Sequence, residues 1–321
     1  MKIKEQITNW LECVRAFSIP ITVMSWAVVF TYGLKTGGNL WLGILALIGI
    51  QLAHLATNLI DDYLDYKIIA ADKTLSNTVQ KGKCRLIFEN IISIEQIKLA
   101  IIIMCSFATI IGIVLFFLSG PDVIWLMIIA AVIVLLYQKC SLVGLSELAV
   151  GIIYGPLLFE GTYYVMTGEF SLPVLLLSFT SVMFAEQFLY THTVLDYDGD
   201  MYSHKKTLAC RFNDKNKALW LLGGFFTLGY ISLVALTFSS QNYFFLLGFI
   251  TLPYVIWLFK EVLQFNKDKN ILPKINKLNF PLDNWEQIVK DNAQSFYYRL
   301  LLSRNIMLYM SIILIIAIIL N

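Results

Sequence analysis

Apolar runs close to 20 residues long recur along the whole chain, and nothing in the sequence constrains the fold more. A helix of that length crosses roughly 30 Å of hydrocarbon. In lipid a spanning segment of this kind must satisfy its own backbone polar groups, which a helix does. Nine spans are expected, at about 17–34, 40–60, 97–118, 122–138, 144–166, 172–193, 217–238, 243–263 and 304–320. The 321-residue chain is 58% hydrophobic and 14% charged, with mean hydropathy +0.71. Soluble domains carry about 25% charge. The expected class is therefore an all-α polytopic membrane protein, one transmembrane domain over residues 1–321, with the lipid bilayer as its first partner. A net charge of +2 gives no case for a nucleic-acid partner.

The distribution of charge is more informative than its sum. With the N-terminus placed in the cytoplasm, 23 of the 24 Lys and Arg residues fall on the cytoplasmic side and only Lys35 falls outside, as the positive-inside rule requires. The cytoplasmic connections 61–96, 195–216 and 264–303 are long and charged. Those on the other face are short and nearly uncharged. A site for a charged substrate is thus expected on the cytoplasmic face. The first sixteen residues read as an amphipathic interfacial segment, with Trp10 and Leu11 toward lipid and Lys2, Lys4 and Arg15 among headgroups. No secretory leader is expected, because no small-residue cleavage site follows an apolar core. In the 264–303 connection, an amphipathic helix near 283–301 is expected to cap the site. The five cysteines show no CxxC spacing and read as inert thiols.

Ionisable groups at or within spans are costly unless paired or facing a polar cavity, so they are functional candidates. Span two ends in NLIDDYLD, residues 58–65. On a helix Asn58, Asp62 and Asp65, or Asp61 and Asp65, share a face. No cation precedes Lys67 within the segment to neutralise them, and a divalent ion would. Oxygen-only ligands suit Mg²⁺, which takes one or two carboxylates, waters and phosphate oxygens. Span six ends in the same way: HTVLDYDGD, residues 192–200, places Asp196 and Asp200 one turn apart, with Lys205, Lys206 and Arg211 beyond. Four spans separate the clusters, which hints at a parallel duplication of four-helix units. Two facing carboxylate clusters would hold Mg²⁺ and a diphosphate, and Lys139, Lys205 and Arg211 would take the remaining phosphate oxygens. That is the apparatus for ionising an allylic diphosphate. Solvated helix ends are the plainer reading of each cluster taken alone.

These residues resemble those of the UbiA superfamily of membrane aromatic prenyltransferases, and in particular its menaquinone branch, the 1,4-dihydroxy-2-naphthoate polyprenyltransferases. The branch pattern N-L-x-N-D-Y-x-D is met at Asn58, Asp62, Tyr63 and Asp65, with Asp61 in place of the second Asn. Its second motif is met at Asp196, Asp200, Lys205, Thr207, Leu208, Ala209 and Arg211, with His192 replacing Asn and His204 replacing Gly. GLSELAVGIIYGPLL, residues 144–158, resembles a GLGE-like segment at Gly144, Leu145, Glu147, Gly155 and Pro156. The resemblance covers roughly residues 10–320. It implies nine helices around a central cavity, Mg²⁺ as cofactor, a prenyl diphosphate donor and an aromatic acceptor, in a bacterial plasma membrane with the site facing the cytoplasm. It implies metal-diphosphate binding by Asn58, Asp61, Asp62, Asp65, Asp196 and Asp200.

The other polar residues are weighed individually. His54 is expected to make an interhelical hydrogen bond. His192 is a candidate for contact with diphosphate, metal-bound water or acceptor. Glu147 is a candidate to steer the acceptor hydroxyl or take a proton. Glu160 and Glu186 are expected to bond helix to helix. Tyr63, Tyr137, Tyr154 and Tyr190 either line the prenyl or acceptor pocket or simply pack. Asp198, two residues from Asp196, is expected to face away from it. The rival classes are a secondary transporter and a CDP-alcohol-type phosphotransferase. The first is disfavoured because the acids lie at span ends and no span shows a central Gly/Pro break flanked by acids. The second lacks its dense Asp-Gly-Ala-Arg signature.

Overall fold

The computed structural model describes residues 3–71, 85–202 and 206–321, and every regular element among them is helical. The helices are α1 (Ile3–Cys13), α2 (Ile19–Lys35), α3 (Leu40–Ala71), α4 (Arg85–Phe88), α5 (Ile94–Ser119), α6 (Val123–Leu142) and α7 (Ser146–Ile152). They continue with α8 (Leu158–Thr167), α9 (Leu172–Leu195), α10 (Tyr197–Tyr202), α11 (Lys215–Ser240), α12 (Leu252–Lys267), α13 (Trp285–Lys290) and α14 (Gln294–Leu320). A 3₁₀ stretch, Tyr243–Thr251, leads into α12, and a π turn, Ile153–Leu157, joins α7 to α8.

Among the described residues, eight segments are long and apolar enough to cross a membrane. The expected fourth span is shorter, an apolar stretch Val123–Tyr137 within α6. Three boundaries also move. The second span continues as helix to Ala71, so Asp61, Asp62 and Asp65 lie on a regular helix and not in a loop. The last span begins at Gln294, ten residues before the expected start. The amphipathic helix expected near 283–301 is instead the short α13 followed by α14, because Asn292 adopts a left-handed φ of 54° between them. Local chemistry explains several starts. Ser93 and Gln96 form a capping box at α5. The Asp214 carboxylate accepts from the Asn216 and Lys217 amides at α11. Proline stands in the first turn of α2, α9 and α12.

The most extensive helix pairings are α3 with α5 and α9 with α11. These are equivalent pairs in the two halves, which accords with the suspected duplication. The main core lies in the C-terminal half, where Leu177, Phe184 and Tyr190 of α9 meet Leu219, Leu222 and Phe226 of α11 and Leu302 and Ile306 of α14. A smaller cluster of Cys13, Val14, Leu59, Leu86, Ile87, Ile92 and Ile97 seats the α1–α2 corner on α3 and α5. Trp10 packs against that cluster and so faces protein, while Ile3, Ile7 and Leu11 form an exposed apolar stripe. The outer surfaces of α5 and α6 expose Ile102, Phe107, Phe117, Trp125 and Leu135, as lipid-facing helices do.

α12 and α14 are joined by a buried charge. The Arg299 side chain is fully buried, donates to the Glu261 carbonyl at 2.7 Å and lies 3.2 Å from the Glu261 carboxylate. Removing one partner of such a pair leaves the other charge uncompensated, at about 3–5 kcal/mol. Glu261→Ala is expected to lower the unfolding midpoint in detergent markedly, and Glu261→Leu with Arg299→Met to restore most of the loss.

Candidate active site

The two acidic helix ends are built differently. On α3, Asp61 and Asp62 are buried, at 9% and 4% exposure, and Asp65 lies one turn further, half-buried. Their cation is Arg15, which sequence reasoning placed among lipid headgroups. The Arg15 guanidinium donates to Asp61 Oδ2 at 2.9 Å and also to Asp62 Oδ1. Burial disfavours the Arg15 charge, but Asp62 and Asp61 outweigh it and hold its pKa above the ordinary value. Arg15 can reach them because the chain turns sharply there: its φ of 54° and ψ of 52° are left-handed, and a short 3₁₀ turn, Ala16–Ser18, follows. Asn58 fastens that corner, donating to the Val14 carbonyl at 3.0 Å and to Ser18 Oγ at 3.3 Å. Its amide nitrogen is thus committed to the corner, not to the carboxylates. Burial first, and the Asp62 charge second, push the adjacent Cys13 thiol up to about 12, so it stays protonated and unreactive.

One turn deeper, His54 makes the interhelical bonds expected of it, to Ser18 Oγ at 3.0 Å and Thr22 Oγ1 at 2.7 Å. Tyr63 turns away from the carboxylates. It packs against the Leu59–Ile97 cluster, and Lys67 Nζ sits 4.6 Å above its ring.

At the second cluster, α9 ends at Leu195 and Asp196 caps it, while Asp200 follows on α10 and is 5% exposed. His192 Nε2 lies 3.6 Å from Asp196 Oδ2, and its ring meets Phe296 of α14 edge-on at 5.7 Å. Asp198 does face elsewhere, pairing with Lys215 at 2.8 Å and Lys269 at 2.9 Å. The hydrogen bond from Lys215 holds its pKa below the usual carboxylate range; burial opposes this, and the hydrogen bond from Lys269 adds to the lowering. The Lys269 contact ties the 268–293 excursion to the site.

Arg211 is exposed and donates to the Val143 carbonyl. This docks the 206–212 segment on the turn before α7. Gly144 makes that turn at φ +66°, and a Cβ there would lie 2.4 Å from the Lys206 carbonyl oxygen. Lys139 is exposed on α6. Lys205 and His204 lie outside the described residues, as do Asp72, Lys73 and Cys84. Glu147 is buried and accepts from Ser146 Oγ at 2.8 Å. Glu160 accepts from the Ser171 amide at 3.1 Å, as expected for a helix-to-helix bond. Glu186 does not behave so: it is 2% exposed and neither carboxylate oxygen has a hydrogen-bond partner. Span five also carries the break expected to be absent. Gly155, at φ −94° and ψ −110°, and Pro156 interrupt it, with Glu147 before and Glu160 after. The lack of a break is therefore no argument against transport.

Among the described residues, no three His, Cys, Asp or Glu side chains are grouped to hold a metal ion. The donor set nevertheless suits Mg²⁺ with a diphosphate. Such a complex needs only one or two carboxylates per ion, and the Asp61–Asp62 pair already holds a cationic group.

The UbiA prenyltransferase family model matches residues 20–280, and the chain belongs to that family. It is a membrane prenyltransferase. It is similar to the 1,4-dihydroxy-2-naphthoate octaprenyltransferase of Haemophilus influenzae, with 27% identity over 267 residues, 77% of this chain and 83% of that one. Its fold is similar to that of a digeranylgeranylglyceryl phosphate synthase, with TM-score 0.63, 15% identity and coverage of 99% and 100% of the two chains. It is also similar to a UbiA homologue from Aeropyrum pernix K1, with TM-score 0.62, 16% identity and coverage of 94% and 98%. A UbiA homologue from Archaeoglobus fulgidus bound to GPP and Mg²⁺ gives TM-score 0.59 at 14% identity, covering 93% and 99%.

Sequence reasoning missed Arg15 as the carboxylates' partner. The signal was available. Arg15 is the last charge before the first span, so it must lie at the boundary plane where Asp61 and Asp62 also lie. Arg15→Ala is expected to destabilise the metal-free protein by about 3 kcal/mol, since two buried carboxylates lose their cation. Thermal unfolding in detergent with EDTA measures this, and Arg15→Lys should recover part of it.

Proposed function

We propose that this chain, acting as a single transmembrane domain, transfers a prenyl group from an allylic prenyl diphosphate to an aromatic ring, with 1,4-dihydroxy-2-naphthoate as the first candidate. The observation that carries the reading is the pair of Asp-rich helix ends, one with buried carboxylates holding a guanidinium, in a chain of this family. The naphthoate candidate draws its support from the 27%-identical relative.

In this reading Asp61, Asp62 and Asp65 on one side, and Asp196 and Asp200 on the other, hold Mg²⁺ and the diphosphate on the cytoplasmic face. Bound Mg²⁺ supplies positive charge that stabilises the leaving diphosphate. Arg15 gives up its carboxylates and pairs with diphosphate oxygens, a geometry guanidinium favours. Arg211, Lys139 and Lys205 add cations from the facing segments. Asn58 holds the corner that aims Arg15, and His192 orients Asp196. The excursion tied down by Lys269 helps keep water from the allylic cation.

Asp62→Ala or Asp196→Ala is expected to abolish prenyl transfer, by at least about 100-fold, while the protein remains folded in detergent. Turnover by the wild type in EDTA would overturn the proposal. Mass spectrometry of products from mixed prenyl diphosphates and several aromatic acceptors identifies the ring. Absence of prenylated naphthoate there would remove the naphthoate assignment.

A further inference from the structure

We infer that Glu186 reads the acceptor, accepting a hydrogen bond from the ring hydroxyl farther from the diphosphate. The inference deepens the aromatic-acceptor reading above and rests on it.

Three observations converge. First, Glu186 is 2% exposed in the middle of α9, and both its oxygens lack any hydrogen-bond partner. A buried carboxyl without a partner is costly. His54 is bonded to Ser18 and Thr22, and Glu160 to Ser171, whereas Gln51, Thr162 and Ser303 also hold unpartnered polar atoms; of these unpartnered groups Glu186 alone is a carboxyl. Second, Glu186 lies against bare backbone. A Cβ on Gly151 would stand 3.3 Å from its Oε1, and Glu147 is one turn earlier on the same face of α7. Third, the helix is broken just beyond, at the π turn Ile153–Leu157. Such turns are frequent at functional sites because they re-aim side chains and free backbone groups.

The depth fits one ring. Glu186 is ten residues from Asp196, about 15 Å along α9. A prenyl carbon close to the diphosphate and a bicyclic ring about 7 Å long fill most of that distance. An isoprenoid tail has nothing to offer a carboxyl group, whereas a phenolic hydroxyl supplies the missing donor.

The test uses the full-length protein in detergent with Mg²⁺, geranyl diphosphate, 1,4-dihydroxy-2-naphthoate and its two mono-hydroxy analogues. Wild type should prefer the dihydroxy acceptor to one analogue by about 10- to 100-fold in kcat/KM, the effect of leaving a buried polar group without its partner. Glu186→Leu should bring that ratio within about threefold of unity and leave the KM for geranyl diphosphate within about threefold, and Glu186→Gln should fall between. The unfolding midpoint of Glu186→Leu should match or exceed the wild type's, because no native bond is lost. An unchanged acceptor ratio in both variants, a shifted donor chain-length preference instead, or a midpoint more than about 5 °C lower in both would overturn the inference while leaving the aromatic reading standing. Absence of any prenylated aromatic product from wild type would overturn both.

Discussion

A carboxylate at the end of a membrane span must find a cation, and much of the site's geometry follows from how Asp61 and Asp62 find theirs. They are too buried to rely on water. Arg15 reaches both because α1 and α2 do not run on as one helix: the left-handed residue and the 3₁₀ turn fold the chain back over α3. Holding that corner requires apolar seating, from Val14 against Leu59 and Ile97, and a polar fastening, from Asn58. The interfacial α1 is thereby attached to the acidic end of the second span. A univalent, planar cation shared by two carboxylates is also displaceable, since a divalent ion competes for the same oxygens with twice the charge.

The second cluster is organised more loosely. Asp196 is about half exposed, its histidine neighbour is 3.6 Å away, and Asp198 is engaged by lysines of α11 and of the long excursion. The two ends are thus unlike: one buried and partly compensated by a single guanidinium, the other partly open at Asp196 and Asp198 and linked to a surface segment. That asymmetry suits a site in which one wall is fixed and the other accepts a large charged substrate from solution. Asp198 contributes to the link while ionised. Its pKa is depressed, so the contribution is complete at neutral pH and falls away only as pH drops through the acidic range.

What was legible in the sequence was local or periodic. The spans follow from run length, the acidic faces from spacing of three and four, and the tie between motif and family from contiguous residues such as those at 58–65 and 204–211. The contacts that escaped are all long-range. Arg15 to Asp61 crosses 46 residues and Lys269 to Asp198 crosses 71, and no periodicity encodes either. Composition also misleads at one point. Arg15 sits at the end of an amphipathic segment, where a cation usually means headgroups, yet the local left-handed turn takes it inward. The expected helix over 283–301 failed for a related reason, since a single residue, Asn292, takes a conformation that amphipathic spacing does not register.

The membrane interior sorts its polar groups into two kinds. Ser18, Thr22, His54 and Tyr154 satisfy one another between α2, α3 and the broken span, and this knits the helices below the acidic ends. Glu186 stands apart from that network, against Gly151. A chain selected only for stability would have an apolar side chain there, because replacing an unpartnered buried carboxyl by one of similar volume usually costs nothing. Its presence close to a π turn, on the helix that ends in Asp196, is the signature of a group kept for something that arrives from outside the protein. The same argument applied to His54 gives the opposite result: every hydrogen-bonding nitrogen there already has a partner within the fold, so its presence is explained by the structure alone.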